Sequence, residues 1–305
     1  MVNNYPLITV IIAAYNSPIT LRCAIQSVLN QDFKDFEVLV IGDCCDKEIG
    51  NVIYEFMDER LHWFNLPKNI GSQYGPNNEG LKRGKGKYIA YLGHDDLWFS
   101  NHLSNLVNFI QETDSDLVHC LCACIKPTGF YFLGPPSNGR NYTNSFVPPS
   151  AWLHKRSLIE ECGFWNKQEL LSIGVDQDYL NRIALARKKI SFYNNLIVLK
   201  FVSSDWGLYS KTDNFPQLSY LQKLEKDPQK LIEEILFKCA AYYCLTINER
   251  NSILRSFINL LGNILYYFNF NFNFNYRYRW PLNYLFIYHY QKARKKTRKL
   301  RGLDV

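Results

Sequence analysis

Long apolar runs alternate along the first two thirds of the chain with segments whose apolar positions recur at helical spacing. Leu7 to Ala14 is continuous and rich in Ile and Val, the signature of a strand buried on both faces. It is followed by Tyr15-Asn16, then by Ser17-Pro18, which suit the N-cap and first position of a helix carrying Leu21, Ala24, Ile25, Val28 and Leu29 on one face. A second buried run, Phe36 to Ile41, ends in Gly42-Asp43. Strand, helix and strand joined by short links make a right-handed βαβ unit with parallel strands. The spacing then predicts a helix over Lys47 to Met57 and a short strand over Leu61 to Leu66. Asn69 to Gly80, with its glycines and amides, reads as a loop built for close approach to a ligand.

Tyr88 to Leu92 is again strand-like and stops abruptly at Gly93-His94-Asp95-Asp96. A helix over Asn101 to Glu112 and a strand over Leu117 to Ile125 follow. Residues 126 to 150, rich in Gly, Pro, Asn and Ser, predict a mobile loop over the crevice. Trp152 leads into a helix at Arg156 to Cys162, acids open the helix at Gly174-Val175-Asp176-Gln177-Asp178, and Ile190 to Tyr193 and Leu196 to Phe201 read as two short strands. The whole predicts an α/β fold, a Rossmann-like and mostly parallel sheet flanked by helices over residues 1 to 212.

In such an open sheet the carboxyl ends of the strands form the ligand crevice, and Asp43, Asp95 and Asp96 all fall there. An acidic pair at that edge suits a divalent cation or a phosphate-bearing ligand, although Asp95 or Asp96 would equally serve as a helix N-cap. Either Asp176 or Asp178 satisfies a helix start, which leaves the other to face the crevice. Lys82, Arg83, Lys85 and Lys87 read as a solvated cluster in preference to phosphate contacts.

Charge and composition change the picture only for residues 213 to 305. The net charge of +7 equals the positive charge of Lys292, Arg294, Lys295, Lys296, Arg298, Lys299 and Arg301, so the body is near neutral and an extended nucleic-acid face is excluded. A helix is expected at 228 to 244, then aromatic and polar residues alternate from Phe268 to Tyr276. That texture beside a polybasic tail suits an anionic membrane surface; a helical add-on to the core or an oligomer interface are the alternatives. No run reaches the roughly 18 unbroken apolar residues of a spanning helix. The first apolar run reads as a strand, without a cleavable signal, so a cytoplasmic chain is expected, peripheral on the inner face of the membrane. The alternating Cys120, Cys122 and Cys124 predict reduced, buried thiols on one face of a strand.

The order of these signals resembles the family 2 glycosyltransferases, inverting nucleotide-sugar enzymes of GT-A fold, over residues 5 to about 205. The resemblance implies that Ala14, Tyr15 and Asn16 line the nucleotide pocket, that Asp43 hydrogen-bonds the donor's base, and that Asn78 and Gly80 belong to the loop under the diphosphate. It makes Asp95 the metal-binding acid of the D-x-D motif, Asp96 the donor-side acid after it, and Asp176 the catalytic base, with Asp178 and Arg182 in register behind. His94, Trp152 and Asp178 are further candidates for donor or acceptor contacts. It implies a divalent cation, Mn²⁺ or Mg²⁺, a nucleotide-sugar donor with UDP-sugar the first choice, and a glycan or lipid-linked acceptor in surface polysaccharide synthesis. Three positions depart from the pattern: Gly93 replaces the first acid of D-x-D, Val175 replaces the Glu before the base, and the strand at 196 to 206 lacks a metal-binding His. A catalytically inactive membrane scaffold is the alternative reading.

Overall fold

Two buried βαβ units lay down the framework, β1 (Ile8–Ala14), α1 (Pro18–Leu29), β2 (Phe36–Gly42), α2 (Lys47–Tyr54) and β3 (Leu61–Asn65). The structure, a computed structural model, describes residues 5–136, 142–143, 145–207 and 215–240. The chain continues through α3 (Tyr74–Arg83), β4 (Tyr88–Gly93), β5 (Leu97–Trp98), α4 (His102–Thr113), β6 (Leu117–Lys126), β7 (Gly129–Leu133), β8 (Trp152–Lys155), α5 (Leu158–Cys162), α6 (Val175–Leu185), β9 (Ile190–Phe201), α7 (Ser203–Trp206) and α8 (Pro216–Lys226). Residues 228–240 are helical, and the aromatic and basic segments expected beyond them lie outside the described residues. Among the described residues no helix is long and apolar enough to cross a membrane.

The strands form one sheet in the order β3-β2-β1-β4-β8-β6-β9-β5, with β7 paired to β6. β3, β2, β1 and β4 are parallel, β8 is antiparallel to both β4 and β6, and β9 runs parallel to β6. The carboxyl ends of β1, β2, β4, β6 and β9 therefore share one edge. The chain order reverses between β1 and β4, and this switch point opens a crevice there. β2 is buried along its whole length and β1 nearly so, because helices cover both faces; this is why their sequences run apolar without alternation.

Several sequence expectations are corrected. Asn78 and Gly80 lie inside α3 and not in a loop. A Cβ on Gly80 would stand 2.6 Å from the Cγ2 of Ile11, so the glycine lets the helix press against β1. Gly80→Val is expected to destabilise the protein by about 2 kcal/mol through overpacking, lowering the melting temperature by about 5 °C; an unchanged melting curve would show that this contact yields freely. The first part of the expected mobile loop is a hairpin, β6 to β7, in which the aromatic run Phe130-Tyr131-Phe132 forms an ordinary strand and Phe130 and Phe132 pack on the core. The two short strands at 190 to 201 are one, β9, with register shifts opposite Cys120 to Cys122.

The lysine and arginine cluster is solvated, as expected: Arg83 and Lys82 pair with Glu79, at 2.6 and 4.0 Å. Cys120, Cys122 and Cys124 are free and buried.

Candidate active site

The first corner of the crevice is set by backbone geometry at the end of β1. Asn16 has φ of 31°, in the left-handed region, and its Oδ1 accepts the Asp46 N–H at 3.0 Å, which holds the β1–α1 turn against the β2–α2 turn. Ala14 is buried and its carbonyl accepts the Asp43 N–H at 2.9 Å; Tyr15 is half-buried and Asn16 exposed. The Asp43 carboxylate, 3% exposed, accepts the N–H groups of Ile70 and Gly71 at 2.7 and 2.8 Å. Asp43 thus shapes the 69–71 loop. Gly71, with φ of 70°, adopts a conformation in which a side chain would be strained.

The turn after β4 divides its two acids. Asp96 is fully buried and saturated: its Oδ2 accepts Ser150 Oγ–H at 2.6 Å and the Lys200 ammonium at 3.1 Å, and its Oδ1 accepts the Phe201 N–H at 3.0 Å. Burial lifts its carboxyl to about 6 despite the pull of Lys200. Burial alone would lower the Lys200 ammonium, but the charges of Asp96 and Asp95 hold it above its ordinary value. The sequence reading put Asp96 against the donor; the structure instead makes it the internal anchor of Lys200. Asp95 lies beside it, 5% exposed, with Oδ2 accepting the Ser203 hydroxyl and its own carbonyl accepting Gln217 Nε2–H at 3.0 Å. His94 is buried and directs Nδ1–H to the Ala13 carbonyl at 3.0 Å; since a carbonyl only accepts, this fixes the proton on Nδ1.

The oxygen donors at this point fit a hard divalent cation that keeps several waters and leans on ligand phosphates, with Asp95 the carboxylate to hold it. Among the described residues no group of three His, Cys, Asp or Glu side chains converges as a metal cage. A Cβ on Gly93 would lie 2.8 Å from Asp96 Oδ2 and 2.9 Å from Asp95 Oδ1, so a side chain there would have to displace both carboxylates.

Asp176 lies in the first turn of α6. Burial raises its carboxyl above the ordinary aspartate range, against the Gln177 N–H at 2.9 Å, the charge of Lys200 and a hydrogen bond from the Gln73 side chain. Val175 before it is a core residue, 3% exposed, so the position has no place for a carboxylate.

Residues behind Asp176 hold α6 in place. Asp178 accepts Arg182 Nε–H at 3.0 Å and Asn166 Nδ2–H at 3.1 Å, while Arg182 donates to the carbonyls of Cys162 and Phe164. Gly163, with φ of 77°, ends α5 at the same spot. Asn78 donates to the Trp165 carbonyl at 2.8 Å and accepts the Trp165 N–H at 2.9 Å, so its amide is committed to this loop and not to a diphosphate. The Trp165 ring stacks on Tyr179 at 4.9 Å. Trp152 is wholly buried among Trp165, Tyr91 and Tyr179 and cannot touch an acceptor. Asp178 likewise serves Arg182 and Asn166 in place of a substrate. The sequence reading passed over Lys200, yet a lone lysine inside Leu196 to Phe201 is a visible signal, since a charge in a buried strand requires partners.

A switch-point crevice edged with carboxylates on a mixed sheet is the architecture of GT-A glycosyltransferases, and solved structures share it. Staphylococcus aureus TarS (residues 1–349) in complex with UDP-GlcNAc superposes with a TM-score of 0.57 at 20% identity, over 71% of this chain and 64% of that one. The mannosyltransferase PcManGT from Pyrobaculum calidifontis, in complex with GDP-Man and Mn²⁺, gives 0.54 at 15% identity over 95% and 86%. The sequence profile of glycosyl transferase family 2 matches residues 9–163, and the chain belongs to that family. It is 26% identical over 195 residues, 64% of this chain and 70% of the relative, to WfgD of Escherichia coli, a UDP-Glc:α-D-GlcNAc-diphosphoundecaprenol β-1,3-glucosyltransferase. The chain spans about half the length of several other curated relatives, 50%, 45% and 42%.

Proposed function

We propose that this glycosyltransferase moves a sugar, with inversion, from a nucleoside-diphosphate donor, UDP-sugar first, to a lipid-linked glycan acceptor in surface polysaccharide synthesis. The observation that supports the reading is the position of Asp43 and Asp95 just past the carboxyl ends of the parallel strands β2 and β4, with the charge of Lys200 acting on both Asp95 and Asp176. Asp43 and the 69–71 loop it organises, with Ala14, Tyr15 and Asn16, receive the nucleoside. The crevice floor at Asp95 receives the diphosphate, and a divalent cation held there would offset the charge that grows on the departing phosphates. Asp176 takes the proton of the acceptor hydroxyl as the sugar carbon passes through an oxocarbenium-like state, and its carboxyl, raised by burial, is a stronger base than a free aspartate. The lipid-linked acceptor is supported by the named activity of WfgD, and attachment to an anionic membrane surface by the seven basic residues between 292 and 301.

Calorimetric titration with UDP, GDP and dTDP, with and without Mn²⁺, tests the reading. One of the three is expected to bind in Mn²⁺ at micromolar concentration, and Asp95→Ala is expected to weaken that binding by about tenfold, the scale of one charge-assisted contact. Binding of none by folded protein would overturn the donor site, and an unaltered metal response in the variant would remove Asp95 as its ligand.

A further inference from the structure

The geometry points to Lys200 as a tethered cation for the donor's diphosphate, so that part of the charge stabilisation at this site is built into the chain and does not depend on a bound metal. This rests on the reading of the crevice as a donor site. Lys200 is the penultimate residue of β9, at the same sheet edge as the end of β4, and its side chain remains 26% exposed while that of Asp96 is 0% exposed. Among the described residues its one hydrogen bond is to Asp96, which leaves two of the three N–H donors of the ammonium for a ligand. Its charge also acts on both Asp95 and Asp176.

Asp96 uses one N–H of the ammonium, since Ser150 Oγ–H and the Phe201 N–H also serve its oxygens. What a lysine adds is a mobile, compact positive charge at the crevice. The use for one follows from Gly93: with no side chain there, a metal has one carboxylate fewer to hold it, whereas a covalently attached ammonium is never lost to dilution. As the bond between sugar carbon and phosphate oxygen breaks, the electron pair stays on the diphosphate, and Lys200 Nζ donates hydrogen bonds to that oxygen charge without giving up its proton.

The test is UDP and GDP titration of the full chain in EDTA and in Mn²⁺, for the unaltered protein, Lys200→Arg, and the double variant Lys200→Gln/Asp96→Asn. The double variant removes both charges and so avoids a buried unpaired carboxylate, and a thermal melt confirms that it is folded. The unaltered protein is expected to keep nucleotide binding in EDTA within about tenfold of that in Mn²⁺, and the double variant to lose a further tenfold or more in EDTA while Mn²⁺ restores most of its binding. Lys200→Arg is expected to stay close to the unaltered protein in EDTA. Loss of all binding by the unaltered protein in EDTA, or equal EDTA affinities for the unaltered protein and the folded double variant, overturns the inference. Should neither nucleotide bind the unaltered protein in Mn²⁺, dTDP is titrated in the same way, and failure of all three overturns the donor site itself, and the inference with it.

Discussion

Asp176→Asn is expected to reduce sugar transfer by about 10²- to 10⁴-fold, the range removed with a general base, while nucleotide affinity changes less than about threefold. The split follows from position. Asp176 lies in the first turn of α6, braced by the Asp178–Arg182 pair and the stacked Trp165–Tyr179 rings, whereas the proposed nucleoside and diphosphate contacts are on β1, β2 and β4. Asparagine keeps the shape and accepts the Gln177 N–H, so the backbone of the first helical turn is preserved and only the proton acceptor is lost. Single-turnover transfer from a radiolabelled UDP-sugar, set beside titration of UDP, separates the two quantities. Transfer at the unaltered rate would take the base role from Asp176.

The second large effect is on stability in acid. His102, His119 and His154 are each 0% exposed, and burial pushes their imidazoles down to about 3, 4 and 4. Their neutral forms are built into the packing. His154 gives Nδ1–H to its neighbour's carbonyl at 2.8 Å and accepts Tyr91 O–H at Nε2, 3.1 Å away, and Tyr91 in turn accepts Trp165 Nε1–H at 3.2 Å. His102 stacks on Trp98 at 4.1 Å, and His119 Nε2 meets Tyr142 Oη at 2.8 Å. Groups with depressed folded values confer stability that is complete above their unfolded value near 6.5 and is lost as pH falls toward the folded values, at about 1.4 kcal/mol per pH unit for each. Asp96 opposes this: its folded value of about 6 exceeds the unfolded one, so its contribution grows as pH falls through 6. The net expectation is a loss of about 4 kcal/mol between pH 7.5 and pH 5, a large share of ordinary domain stability. Urea midpoints across that range measure it, and His119→Gln should flatten the slope by about one proton. A midpoint independent of pH would mean that these imidazoles protonate without disturbing the fold.

Both expectations concern groups whose chemistry is visible in the chain but whose setting is not. That Asp43 and Asp95 stand at the carboxyl ends of parallel strands is legible, because each follows a strand in a βαβ succession whose handedness is fixed, whereas Asp176 is singled out from Asp178 only by the family resemblance. That Asp96 is an internal anchor is not legible, because nothing in the turn after β4 distinguishes two adjacent carboxylates until Ser150, Lys200 and Phe201 arrive from 54, 104 and 105 residues away. Asn78 shows the same limit: an amide in a glycine-containing stretch looks like a ligand contact, and its capture of the Trp165 backbone spans 87 residues.

The sequence by itself determined the strands β1, β2, β4 and β6, the helices α1, α2 and α4, and the edge on which chemistry is placed. Those features follow from local rules, since an unbroken apolar run, a cap or a turn is decided within a few residues and a parallel crossover has one hand. The tertiary structure alone decided that Asp96 is saturated inside the fold, that Trp152 is core, that a Cβ on Gly93 would crowd Asp95 and Asp96, and that Lys200 pairs with Asp96. Those are matters of desolvation and charge pairing between segments far apart in the chain, and the energy of a buried charge depends on its neighbours in space, which the order of residues does not state.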